Sequence, residues 1–226
     1  MNYQVVPLGE VARVERDGID PARIQSGARY VGLEHIDSSG SVIDQMVQNG
    51  ELASTKFAFS RDHILYGKLR PYLRKIARPD FAGVCSTDII PIRPGSRVDR
   101  GYLFHFLRMD DVVKKSASLA TGVNLPRLNP RPLESFEIPL PPLDEQRRIA
   151  AILDQADDLR RIRQEALERL ERFVTRIVAD AFDKCRTWTD LGSVCDVQGG
   201  LQYLVPVRSF HCEFHISGSR TSTVIT

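Results

Sequence analysis

Residues 139–184 read PLPPLDEQRRIAAILDQADDLRRIRQEALERLERFVTRIVADAFDK. Pro139, Pro141 and Pro142 cannot sit inside a helix, because proline lacks the amide donor and clashes with the preceding turn. Asp144 then suits an N-cap and Glu145 the first turn, where carboxylates meet the positive end of the helix. From Glu145 to about Lys184 there is no Gly and no Pro. The stretch is rich in Ala, Leu, Arg and Glu, strong helix formers, and in Ile. Ile152, Ala156 and Leu159, then Ala166, Leu170, Phe173 and Ile177, recur at alternating spacings of four and three. That is the heptad rhythm of a coiled coil. Arg163 interrupts the seam once, and Leu153, Ile162, Leu167, Val174, Val178 and Ala181 widen the apolar face. Such a helix would be roughly 60 Å long at 1.5 Å per residue. Alone it would expose its stripe to water, so the pattern predicts a partner helix.

Working outward, residues 1–143 read as a mixed domain of short strands and helices, which makes the fold class α+β. Extended runs are expected at Tyr30 to Ile36, His63 to Gly67 and Cys85 to Ile92, with Phe136, Ile138 and Leu140 alternating in a last strand. Gly, Pro and Ser separate them. Helices are expected at Asp99 to Met109, with Leu103, Phe104 and Leu107 on one face, and at Asp110 to Ser118. The long helix occupies 144–185. At 186–226 the chain restarts. Leu191-Gly192-Ser193-Val194-Cys195-Asp196-Val197 repeats the pattern of Leu8-Gly9-Glu10-Val11-Ala12-Arg13-Val14, as though a second copy of the first domain began there. Tyr203 to Thr226 lacks periodicity and reads as an irregular tail of a truncated second domain.

Bulk properties narrow the function classes. The 226 residues are 42% hydrophobic and 27% charged, ordinary for a globular chain, so disorder is not the expectation. The net charge of +2 does not by itself announce a nucleic-acid binder, so any basic surface must come from local clustering. Cys85, Cys185, Cys195 and Cys212 form no CxxC pair, which suits a reduced, cytoplasmic setting. No apolar run approaches the ~20 residues that span a bilayer.

Two segments carry candidate chemistry. Arg61, Lys68, Arg70, Arg74, Lys75 and Arg78 form the densest basic stretch, opposed by Asp62 alone and interleaved with Tyr66 and Tyr72. Arginine and lysine neutralise phosphates, arginine grips guanine O6 and N7, and tyrosine stacks or donates to phosphate. The competing reading is a solvated charged loop. The second segment is Ala120 to Arg127, in which Gly122 and Pro126 bracket Asn124, next to Arg127. Asparagine pairs with adenine N6 and N7, although an ordinary connecting turn has the same composition.

Catalytic readings fail on particular residues. Arg131 breaks the methyltransferase-like run Asn129-Pro130-Arg131-Pro132, and no glycine-rich cofactor loop accompanies it. Ile90 takes the lysine position of a nuclease-like pattern formed by Pro79-Asp80 and Asp88-Ile89-Ile90. Ser86, His63 and Asp88 lack a nucleophile-elbow context. His211 and His215 lack the paired cysteines of a zinc finger, so no metal site is expected.

Leu8-Gly9-Glu10-Val11, Tyr30-Val31-Gly32-Leu33-Glu34-His35-Ile36, Ile64-Leu65-Tyr66-Gly67-Lys68-Leu69-Arg70-Pro71-Tyr72, Ser86-Thr87-Asp88-Ile89 and Tyr102-Leu103 together resemble a target recognition domain of type I restriction-modification specificity subunits. The most specific run is Ile138-Pro139-Leu140-Pro141-Pro142-Leu143-Asp144-Glu145-Gln146-Arg147-Arg148-Ile149-Ala150, which in that family closes the recognition domain and opens a spacer helix. The resemblance implies a non-catalytic reader of one half of a bipartite double-stranded DNA target. It implies long helices that pack antiparallel, set the half-site spacing and dock methyltransferase subunits, with motor-nuclease subunits joining them. S-adenosylmethionine, ATP and magnesium would belong to those partners, and this chain would hold no cofactor. One domain and one helix make this a half-length form, so self-association through the seam is expected. The resemblance also tips Tyr66, Lys68, Arg70, Tyr72, Arg74, Lys75, Arg78, Asn124 and Arg127 toward DNA contact. The rival is an assembly subunit that has lost DNA binding.

Overall fold

The computed structural model describes residues 3–43, 45–47 and 54–184. The expected restart at 186–226 lies outside them. In chain order the elements are β1 (Gln4–Pro7), α1 (Leu8–Val11), β2 (Ala12–Val14), β3 (Gly18–Ile19), β4 (Ala28–Val31), β5 (Gln45–Val47), β6 (Lys56–Phe59), β7 (Ile64–Gly67), β8 (Ile76–Ala77), β9 (Gly83–Cys85), β10 (Ile89–Pro94), α2 (Arg100–Leu107), α3 (Asp110–Ser118), α4 (Pro130–Glu134), β11 (Glu137–Leu140) and α5 (Leu143–Lys184). Short 3-10 turns sit at Pro21–Arg23, Leu33–His35 and Pro71–Leu73. The α+β expectation holds.

The strands form three sheets. β1 pairs antiparallel with β11, Val6 opposite Ile138, so the beginning and end of the head are stitched together just before α5. A four-stranded sheet has the order β2-β10-β7-β8 and a five-stranded one the order β3-β6-β9-β4-β5. Pairing is antiparallel throughout except between β4 and β9. Two apolar clusters fill the head. The larger joins Leu8, Val11, Tyr66, Ile90, Leu103, Leu107, Phe136 and Ile138, bringing α1, α2 and the strands onto one core. The smaller contains Val31, Ile36, Phe59, Leu65, Ala77, Cys85 and Ile89. Both faces of β7 and the first half of β10 are buried, which explains why those strands read as unbroken apolar runs.

Two expected strands are interrupted by turn chemistry. Tyr30 to Ile36 leaves the sheet after Val31, because the Gly32 N–H donates to His35 Nδ1 at 3.0 Å and the chain tightens into a 3-10 turn. Cys85 to Ile92 breaks at Ser86. Its Oγ accepts the Asp88 N–H at 3.2 Å and its carbonyl accepts the Ile89 N–H at 3.0 Å. The helices lie where expected. Asp99 caps α2 by accepting the Tyr102 N–H at 3.0 Å. α5 begins one residue earlier than expected, at Leu143. Asp144 is therefore within the first turn, paired at 3.1 Å with Arg147, rather than the cap.

The compact unit extends to Ile162, so it includes the first turns of α5. Gln146 and Ala150 are buried there. Gln146 Oε1 accepts the Asp99 N–H at 2.8 Å, and its Nε2 donates to the carbonyls of Arg97 at 3.1 Å and Pro141 at 2.8 Å. At Gly101 an added Cβ would come within 3.0 Å of the Ala150 Cβ, so glycine permits α2 to approach α5 this closely. The second unit begins at Arg163, and its described residues are the remaining helical turns, 163–184. Along α5 the side chains of Ile152, Leu159, Ala166, Leu170, Phe173 and Ile177 are exposed and Ala156 is half-buried. Leu159 and Phe173 reach 68% and 62%. No described helix is long and apolar enough to cross a membrane.

Candidate nucleic-acid interface

The two candidate segments, some fifty residues apart in sequence, are joined by backbone pairing. The Arg70 N–H donates to the Pro126 carbonyl at 2.8 Å and the Leu128 N–H to the Lys68 carbonyl at 2.9 Å. Thr121 and Arg127 exchange both backbone bonds, at 3.0 and 2.8 Å, and this closes the loop that carries Asn124. Gly122 sits at φ +111, which favours glycine. The result is one surface on which Arg70, Tyr72, Asn124 and Arg127 are exposed and Lys68 is half-buried.

Asp88 braces this surface. Its carboxylate lies 3.0 Å from Arg127 Nε and 3.8 Å from Lys68 Nζ. The hydrogen bond to Asp88, and then its charge, hold the Arg127 guanidinium above its ordinary value. Among the described residues Arg70 has no ion-pair partner. Its backbone is left-handed at φ 50, as is that of Arg74 at φ 52, and the two bracket the turn Pro71–Leu73. A side chain in that region costs on the order of 1–2 kcal/mol. Strain of this kind persists where the surroundings over-determine it. Val123 and Leu125, exposed at the loop tip, add apolar contact area that the reading of basic and polar residues passed over.

Four of the expected contact residues are used differently. Tyr66 is 1% exposed and its hydroxyl donates to Ser116 Oγ at 2.8 Å. Burial pushes its pKa up to about 12, and the bond shared with Ser116 offsets that only in part. It is a core residue and cannot reach DNA. Lys75 Nζ donates to the carbonyls of Leu33 at 2.6 Å and Ile36 at 2.8 Å, tying down that 3-10 turn. Arg78 turns to Asp154 on α5 and stacks over Phe104 at 4.8 Å. Arg74 stays at the edge of the surface but pairs with Asp110. In each case a partner distant in sequence claims the side chain.

The residues that hold α5 to the head were missed. They carry a legible signal: His105 in α2 and Arg108 at its C-terminal end are side-chain donors, Asp154 and Asp157 on α5 are carboxylates, and both pairs have the same three-residue spacing. His63, weighed for a triad, is buried. Its Nδ1 accepts from the Ser60 N–H at 2.9 Å and its Nε2 pairs with Glu15 at 2.8 Å, so it does not face Ser86. Among the described residues no group of three or more His, Cys, Asp or Glu is placed to hold a metal ion.

The described residues thus comprise a mixed α+β unit with a braced basic loop pair, followed in the chain by a long amphipathic helix. The chain belongs to the family described as the type I restriction modification DNA specificity domain, whose model matches residues 1–172. It is 31% identical over 160 residues to the type I restriction enzyme EcoDI specificity subunit of Escherichia coli, an alignment covering 68% of this chain and 35% of that one. The HsdS subunit crystal structure from Thermoanaerobacter tengcongensis superposes with a TM-score of 0.61 at 28% identity, covering 86% of this chain and 55% of that one. A chain solved in a study of complex assembly and conformational transition of the type I R-M system gives 0.63 at 28% identity, with the same coverage. The chain therefore spans about a third of the curated relative and just over half of the solved ones.

Proposed function

We propose that this chain acts within a type I specificity subunit, reads one half of a bipartite double-stranded DNA target and leaves catalysis to partner subunits. The observation that carries this reading is the convergence of the Lys68–Arg74 and Thr121–Arg127 segments into one exposed surface. Arg70 supplies free positive charge, Tyr72 a stacking or donor group, and Asn124 the fork that suits adenine. Lys68 and Arg127, held by Asp88, act as oriented donors.

The seam of α5 supports two further parts of the proposal. Its exposed apolar residues pair with a second copy of the chain through antiparallel helices, and the assembled stem docks methyltransferase subunits, through which motor-nuclease subunits join. An assembly of two copies carries two identical reading heads, so its preferred target is palindromic and bipartite. The test is methylation mapping in cells that carry this chain and its methyltransferase. It is paired with binding of the purified complex to a DNA library at rising salt. A palindromic split motif and a steep fall in affinity with salt are expected. Absence of DNA affinity, even with the methyltransferase present, would instead favour an assembly subunit. Methylation or cleavage by the purified chain alone would overturn the non-catalytic assignment.

A further inference from the structure

The first turns of α5 are held to the head by a polar clamp that the proposed reading surface does not use. Asp154 accepts from Arg78 and, at 2.7 Å, from His105 Nε2. One helical turn further on, Asp157 Oδ2 accepts from Arg108 Nη1 at 2.7 Å. Both guanidiniums lie over the Phe104 ring, Arg78 at 4.8 Å and Arg108 at 4.7 Å from its centre. The His105 and Arg108 side chains are only 9% and 15% exposed. Arg108 Nε is buried with no hydrogen-bond partner among the described residues.

This is a costly way to attach a helix. Partly buried charges lose hydration, and an apolar contact of the same size would bind at least as well. What the charged contacts add is direction. Apolar contact is non-directional, whereas guanidinium–carboxylate and imidazole–carboxylate bonds hold only over a narrow range of angles. Gln146, Ala150, Asp154 and Asp157 fall within roughly 80° of one another on a helical wheel, with the apolar seam on the opposite side. The clamp therefore sets which way the start of the seam, Ile152 and Leu159, faces within the compact unit.

We propose that Asp154 and Asp157, with Arg78, His105 and Arg108, are positioning residues that fix the head on its stem and thereby the separation and phase of the two DNA half-sites. This rests on the half-site reading above. The effect is felt within the compact unit: a tilt of roughly 10° at Asp154 displaces the α5 axis at Ile162, about 12 Å further on, by roughly 2 Å.

The test uses the complex with its methyltransferase and duplexes in which the half-sites stay constant while the spacer changes one base pair at a time. The wild type is expected to prefer a single spacer length by about tenfold, since half-site separation is a geometric property of the reader. The Asp154→Ala/Asp157→Ala variant should methylate neighbouring spacer lengths within about threefold of the cognate one, with unchanged half-site preference. Asp154→Asn, which keeps an acceptor for both donors, should retain the single spacing. Arg108→Leu, which keeps packing over Phe104, provides a second route if the double variant does not fold, and it should broaden the spacing too. A folded double variant, or a folded Arg108→Leu, that is still confined to the wild-type spacing would overturn the proposal. Failure of the wild-type complex to act on any bipartite duplex would instead remove the half-site reading, and the clamp's role with it.

Discussion

At the scale of single residues, separate experiments can tell charge that faces outward from charge that holds the fold. Arg70 is placed in a left-handed backbone with an exposed side chain. Arg70→Gly relieves the backbone but adds freedom to the unfolded chain, so its thermal stability should stay within about 1 kcal/mol of wild type. DNA affinity should fall several-fold and the salt slope by about one unit. Tyr66→Phe should do the reverse. It removes the bond to Ser116 and about 0.5–1.5 kcal/mol of stability, while leaving DNA affinity in a titration unchanged. Glu15 offers a check by pH. Burial raises its carboxyl, but hydrogen bonds from His63 and Arg93 outweigh this and hold it below the ordinary value of 4.5. A carboxyl lowered on folding stabilises the native state above its unfolded value, and that contribution disappears as pH falls through the folded value. The stability difference between wild type and Glu15→Gln, followed by denaturant titration, should therefore be largest above pH 4.5 and shrink in more acid solution.

At the scale of elements, α5 has two faces of different character. The face carrying Gln146 and Ala150 is buried against the head, while the seam from Ile152 to Ile177 stays exposed apart from half-buried Ala156. Gln146→Leu would leave the Asp99 N–H and the carbonyls of Arg97 and Pro141 without their partner. A loss of about 2–4 kcal/mol is expected in thermal or chemical unfolding, since each stranded buried group costs about 1–3 kcal/mol and some regain water. Leu159→Glu with Leu170→Glu places charge in the seam without touching that anchor. The variant should keep the head's melting transition and elute as a monomer in light scattering. Retention of the wild-type mass would rule the seam out as the contact between copies.

At the scale of the whole molecule, local pattern and distant contact divide the information in a regular way. α5 was legible because a period near 3.6 and the proline block that opens it are properties of neighbouring residues. The start of α2 and the limits of α3 were legible for the same reason, Asp99 being a capping residue by its own chemistry, whereas α2 ends at Leu107, two residues before the expected Met109. The α+β class and the general location of the two loop segments could also be read. What could not be read is which cations in the stretch from Arg61 to Arg78 face outward. Lys75, Arg78 and Arg74 look alike in sequence. Their uses are set by Leu33 and Ile36, by Asp154 and by Asp110, residues 36 to 76 positions away.

The sequence by itself therefore determined the periodic elements, their order and the family likeness, since these depend on backbone propensity and the spacing of apolar groups within a few turns. Tertiary structure alone decided that Lys68 and Arg70 lie beside Arg127, that Tyr66 belongs to the core, and that α5 is clamped through Asp154 and Asp157. The reason is physical: a side chain's role follows from the partner that satisfies its hydrogen bonds and charge, and chain folding, not sequence adjacency, brings that partner near.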